Sequence, residues 1–264
     1  MLEIKDSTER LNEMKLIKDI PYVKDALRDQ VLDIYLPDKD EFDVFVYIHG
    51  GGIEKGDKND GAKFGEFLAD KGTALVSINY RMYPTAAYPD FIKDSAAAVA
   101  WTKKNMNSYG KVKNFFIGGS SAGGYISMML CFDKKWLAPH GIAPDSITGY
   151  IHDAGQPTAH FNVLREQGID SRRVIIDDTA PLYYIGTAEK YAPMLFIVSD
   201  NDIQNRYEQT KLTISTMKHF GYDLNNVELK EMQGRHCAYV GRIDEDGLPA
   251  FGKIAHEYIE KFRV

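Results

Sequence analysis

Apolar and polar positions along this chain fall into two kinds of run, and the order of those runs predicts the architecture. Residues 30–36 (QVLDIYL) alternate apolar with polar and stop at Pro37, the pattern of an exposed antiparallel strand. Residues 44–48 (VFVYI) are apolar without a break, as a strand buried on both faces must be. A helix over 60–71, a strand at 74–78 (ALVSI) and a long helix around 91–107 follow. The strand at 113–118 (KNFFIG) runs straight into a helix that begins near Ala122. Further strands are predicted at 147–151, 193–198 (PMLFIV) and 227–231, with helices at 204–220 and 248–262. Strands alternating with helices predict an α/β fold, a mainly parallel sheet covered on both faces.

Two regions break the rhythm. Residues 1–20 read as an amphipathic or loosely ordered lead-in. Residues 155–190 lie between two predicted core strands, carry Gly155, Pro157, Gly168 and Pro181, and are too long for a simple connection. Excursions of that length are usually binding loops or lids, so the expectation is a single domain over 1–264 with 155–190 as an inserted cap. No internal repeat or linker appears.

Composition narrows the function. Of the 264 residues, 44% are apolar and 27% charged, enough to bury a sizeable core. The net charge of -6, with no dense Lys/Arg run, argues against nucleic acid as a partner. The first residues are charged from Glu3 onward, unlike a secretory signal, and no apolar stretch reaches the length of a membrane span. The two cysteines, Cys131 and Cys237, lack a second ligand at metal-binding spacing and suit a reducing compartment. The expectation is a cytoplasmic protein with no metal; the sequence leaves its oligomeric state open, a homo-oligomer included.

Candidate chemistry lies at the ends of predicted strands. Gly119-Ser120-Ser121-Ala122-Gly123-Gly124 fits G-x-S-x-G between the strand FFI and a helix. There a sharp turn would expose Ser121 as a nucleophile, and glycines would relieve collisions across the turn. His49-Gly50-Gly51-Gly52 follows the buried strand VFVYI. Its backbone N–H groups at Gly51 and Gly52, with that of Ala122, can face a developing oxyanion. His49 itself reads as a brace for the loop. A serine needs a base oriented by an acid, and in α/β-hydrolases the chain order is serine, acid, histidine. His236, in Gln233-Gly234-Arg235-His236-Cys237, sits in a loop between a strand and the last helix and is the candidate base. His152 and His160 border the insertion and read as structural. After the strand PMLFIV, Asp202 is the candidate acid, with Asp200 bracing its loop.

These residues resemble the esterase/lipase branch of the α/β-hydrolases related to hormone-sensitive lipase. His49-Gly50-Gly51-Gly52 is similar to that branch's HGGG motif, and Gly119 to Gly124 to its G-D-S-A-G-G, with Ser120 where the aspartate usually stands. Asn79-Tyr80-Arg81-Met82-Tyr83-Pro84, followed by Tyr88-Pro89 and Asp94, resembles its Y-R-L-A-P…F-P…D segment. The stretches around Asp202 and His236 resemble its acid and histidine loops. The resemblance spans roughly 44–240 in the right order and implies an α/β-hydrolase fold, a mostly parallel eight-stranded sheet, and carboxylester hydrolysis by a Ser-His-Asp triad without a cofactor. Only 48 residues precede the HGGG, fewer than lipase-like members usually carry, so 155–190 is expected to shape the acyl pocket.

The substrate stays open: a short-chain or small ester, including acetylated carbohydrate and feruloyl esters. Tyr83, Phe161 and Tyr239 are the candidate substrate-binding aromatics. An amide-directed enzyme, such as a small peptidase or formamidase, shares the same triad. A non-catalytic ligand-binding homologue is the remaining alternative.

Overall fold

A computed structural model describes residues 14–263. Eight strands form one sheet in the order β1-β2-β4-β3-β5-β6-β7-β8. They are β1 (Lys15–Pro21), β2 (Val31–Leu36), β3 (Glu41–Ile48), β4 (Thr73–Ile78), β5 (Lys111–Ser120), β6 (Gly149–Asp153), β7 (Met194–Asn201) and β8 (Val227–Arg235). Strands β1, β2 and β4 pair antiparallel, and every other pairing is parallel.

Among the described residues six α-helices complete the fold: α1 (Ala62–Asp70), α2 (Asp90–Asn105), α3 (Ala122–Phe132), α4 (Phe161–Glu166), α5 (Arg206–His219) and α6 (Ala250–Phe262). Alternate residues of each central strand feed opposite cores. Phe45 and Tyr47 of β3 pack with Phe64 and Leu68 of α1 and Phe251 of α6, whereas Val44, Val46 and Ile48 pack with Phe91 of α2 and Ile126 of α3. This two-sided burial explains why 44–48 and 74–78 read as unbroken apolar runs. Among the described residues no helix is long and apolar enough to cross a membrane.

Two expectations are corrected at the N-terminal edge. Residues 1–13 lie outside the described part, but Lys15–Pro21 is a strand rather than a loose lead-in, paired with β2 through its backbone. Its side chains are mostly exposed, so hydrophobic patterning gave no sign of it. For the same reason β2 is not an exposed strand. Lying between β1 and β4, it buries its polar positions too: Asp33 is fully buried and pairs with Lys58 at 2.9 Å.

The topology also decides where a site can form. The chain goes from β3 outward to β4 and then returns to place β5 on the other side of β3. At such a switch point the loops after two neighbouring strands part in opposite directions and leave a crevice at their carboxyl ends. The loops after β3 and β5 are the glycine loop and the Ser121 turn.

Candidate active site

Ser121 is the residue between β5 and α3 and has φ 56° and ψ −114°. A non-glycine residue in that region is strained and persists only where its surroundings leave no alternative. The surroundings here are backbone packed on backbone. A Cβ on Gly123 would lie 1.9 Å from the Ile48 carbonyl oxygen, and one on Gly119 would lie 2.5 Å from the same atom. Only glycines let β5, its turn and β3 approach this closely. The Ser121 N–H donates to the Asp153 carbonyl at 2.7 Å, which ties the turn to the end of β6.

The structure brings Ser121, His236 and Asp202 together from the loops that follow β5, β8 and β7. His236 Nε2 lies 2.8 Å from Ser121 Oγ, and Nδ1 lies 2.5 Å from Asp202 Oδ1. A carboxylate can only accept, so Nδ1 carries the proton and Nε2 is free to accept from the serine hydroxyl. The Asp202 side chain is 1% exposed and that of His236 21%. Burial by itself raises the Asp202 carboxyl, but the His236 hydrogen bond and charge, with the Ile203 and Ser199 N–H groups, outweigh it and hold the carboxyl below its ordinary range. Asp200 accepts from the Gly234 N–H at 2.8 Å, bracing the strand end that leads to His236.

Opposite Ser121, Gly51 and Gly52 have φ of 105° and 70°. Their N–H groups have no backbone or side-chain acceptor among the described residues. His49 lies buried behind them, bonded by Nδ1 to its own loop at Gly50 O (2.7 Å) and stacked on Tyr80 with ring centroids 4.4 Å apart. The Tyr80 hydroxyl donates to the His49 carbonyl at 2.9 Å. Arg81 grips Asp94 through Nε (2.7 Å) and Nη2 (2.9 Å), and the Asn79 side chain bonds both Asp57 and the Lys58 N–H. The Asn79–Asp94 segment thus has a physical purpose that its sequence alone does not disclose. It is the scaffold behind the glycine loop.

The cleft at Ser121 has a volume of about 430 Å³; Gly50 to Gly52, Phe161, Ile203, His236 and Val240 are among the residues lining it. A larger hollow of about 660 Å³ beside Cys131 and Phe132 pairs no nucleophile with a base, and burial pushes the Cys131 thiol well up. Of the three aromatics expected at the substrate, Phe161 lines the cleft. Tyr83 does not; its hydroxyl reaches Glu166 of α4 at 2.5 Å. Tyr239 is fully buried, with its hydroxyl on Asp153.

His152 and His160 are both buried, and burial pushes each down to about 3, which keeps them neutral. His152 bonds Ser127, and His160 accepts from the Asn162 N–H at the start of α4. Both cysteines are free, and Cys237 Sγ lies 3.7 Å from His236 Nε2. Sequence reasoning missed Asp153. Its buried carboxyl sits under the Ser121 turn, receives the Tyr239 hydroxyl, and is pushed up to about 6 by burial. It stands at the carboxyl end of β6, two residues beyond the strand end that the apolar pattern predicts.

The fold is that of the α/β-hydrolases. Within that fold, residues 32–139 match the family described as BD-FAE. The chain is 32% identical over 179 residues to carboxylesterase NlhH of Mycobacterium tuberculosis, an alignment covering 61% of this chain and 55% of that protein. It spans about half the length of the curated relatives it matches. Esterase B from Lactobacillus rhamnosis has a similar structure, with a TM-score of 0.75 at 18% identity over 94% of this chain and 85% of that one. A truncated carbohydrate esterase from gut microbiota gives a TM-score of 0.74 at 19% identity, covering 96% and 97%.

Proposed function

We propose that this chain is a serine carboxylesterase acting on short-chain or otherwise small esters. The observation that carries the reading is the relay Ser121–His236–Asp202, with contacts of 2.8 and 2.5 Å, facing the unspent N–H groups of a glycine loop. His236 takes the proton from Ser121 as its oxygen attacks the ester carbonyl. The N–H groups of Gly51, Gly52 and Ala122 stabilise the tetrahedral oxyanion, each by about 3 kcal/mol. Asp202, kept ionised, holds the imidazole in the right tautomer and stabilises the imidazolium. The protonated His236 then gives its proton to the leaving alcohol. Water, deprotonated by the same base, releases the acid from Ser121.

Substrate size follows from the cleft, whose modest volume and lining by Phe161, Ile203 and Val240 suit a small acyl or alcohol group rather than a long lipid chain. Glu54, Lys55, Asp60 and Lys63 give the same cleft a polar side, which suits a hydroxylated alcohol such as a sugar. The likeness to a carbohydrate esterase agrees with an acetylated carbohydrate. Residues 155–190 act as the cap: they contribute Phe161 to the cleft wall.

Ser121→Ala tests the reading directly. Turnover of p-nitrophenyl acetate should fall about 10⁴-fold or more with the fold unchanged by circular dichroism. Retained turnover would overturn the assignment. A panel of acetyl, butyryl and feruloyl esters beside aminoacyl amides and formamides separates ester from amide preference.

A further inference from the structure

The glycine loop has positive φ at three consecutive residues, the last of them not a glycine. Gly51, Gly52 and Ile53 have φ of 105°, 70° and 64°. For a β-branched residue such as Ile53 this is a costly conformation, and it persists only where neighbours over-determine it. Three ties do so. The Gly51 carbonyl accepts from the Glu54 and Lys55 N–H groups at 3.2 and 3.1 Å, and the Ile53 carbonyl accepts from the Tyr83 N–H at 2.9 Å. Between them, the Gly52 carbonyl accepts from Asn162 Nδ2 at 2.5 Å, a bond spanning 110 residues of sequence.

Each tie fixes a peptide plane, because C=O and N–H of one planar trans peptide point in opposite directions. Holding the Gly51 carbonyl turns the Gly52 N–H the other way. Holding the Gly52 carbonyl stops the next plane from rotating, and with it the glycine whose N–H is presented. Without a Cβ, nothing steric would resist that rotation. Asn162 is the one of these ties that comes from a side chain, and it is 3% exposed. Its Oδ1 has no protein partner among the described residues, so the side chain is held on the loop by its donor end. The Arg165–Glu54 pair at 2.8 Å also links α4 to the loop, but with side chains 58% and 48% exposed it contributes little.

We propose that Asn162 is a positioning residue for the oxyanion donors: its amide pins the Gly52–Ile53 peptide, which fixes ψ of Gly52 and so keeps the Gly52 N–H aimed at the reacting carbonyl. The inference rests on the esterase reading and adds to it that the 155–190 segment takes part in the chemistry by holding backbone, in addition to walling the cleft.

The test uses Asn162→Asp, nearly the same shape but with an acceptor facing an acceptor, and Asn162→Leu, similar in size and uncharged. Esterase kcat/KM on p-nitrophenyl acetate should fall about tenfold or more in both. Affinity for a trifluoromethyl ketone, whose adduct on Ser121 carries an oxyanion, should fall by a matching factor. Both are read at a temperature where circular dichroism shows the variant folded, and if the aspartate variant does not fold the leucine variant carries the test. A merely structural role would lower the melting temperature and leave both readouts within twofold, and that result overturns the proposal. Fluorophosphonate labelling of Ser121 keeps the two readings apart. Labelled variants with undiminished ketone affinity sink only the role of Asn162, whereas an unlabelled parent protein sinks the esterase reading itself.

Discussion

The Ser121 turn and the glycine loop face each other across one cleft, yet different forces hold them. The turn is fixed by backbone against backbone: Gly119 and Gly123 press on the Ile48 carbonyl, and the Ser121 N–H bonds the Asp153 carbonyl. The loop has tight backbone of its own, a Cβ on Gly51 falling 1.9 Å from the Lys55 carbonyl oxygen, and adds side-chain ties from elsewhere: the Tyr80 hydroxyl on His49, Asn79 on Asp57, and Asn162 on Gly52. Backbone contacts at these distances have no rotamer that relieves them. Side-chain ties can be removed singly, each at a cost near that of one hydrogen bond. The Ser121 turn is therefore all-or-none, whereas the glycine loop can be graded at its side-chain ties.

The sharpest way to break this distinction is Gly123→Ala. The new methyl group would sit 1.9 Å from the Ile48 oxygen, so strand, turn or helix must shift. A loss of several kcal/mol of stability and of essentially all turnover is expected, read by thermal unfolding and ester hydrolysis. A stable, active Gly123→Ala would erase the contrast.

Asp153→Asn probes the underside of the turn with a smaller effect. Burial pushes the Asp153 carboxyl up to about 6, so the native state keeps a proton that the unfolded chain gives up near pH 4. Stability is then lost as pH rises from about 4 through about 6, by on the order of 2–3 kcal/mol. The asparagine variant should match the parent protein at pH 4, exceed it at pH 8 and show a shallower slope between. Equal slopes in the two proteins would contradict this account of the buried carboxyl.

On the side-chain-held wall, Tyr83→Phe removes the hydroxyl that Glu166 accepts. About 1 kcal/mol and a melting temperature lower by a few degrees are expected, with fluorophosphonate labelling of Ser121 unchanged. A large loss of labelling would show that the two walls are less separate than their contacts indicate.

The same contrast explains what could be read from sequence. Backbone-driven features leave local marks. The glycines around Ser121, the unbroken apolar runs of β3 and β4 and the end of β7 before Asp202 were all legible, because turn geometry and two-sided burial restrict residue type at each position. Side-chain ties leave none. Nothing near Asn162 announces a partner 110 residues away. Tyr239 reads as a cleft aromatic by its nearness to His236, yet its ring is buried in the core. The strand β1 was invisible because its stability comes from paired N–H and C=O groups, which every sequence carries.

The three residues of the relay follow β5, β7 and β8, and the last of these strands pairs at the far edge of the sheet. During synthesis, Ser121 leaves the ribosome long before Asp202 and His236. A partly made chain therefore holds a serine with no base, chemically as inert as any other. On the proposed reading, reactivity arrives only when β8 docks on β7, because that pairing brings His236 to Ser121.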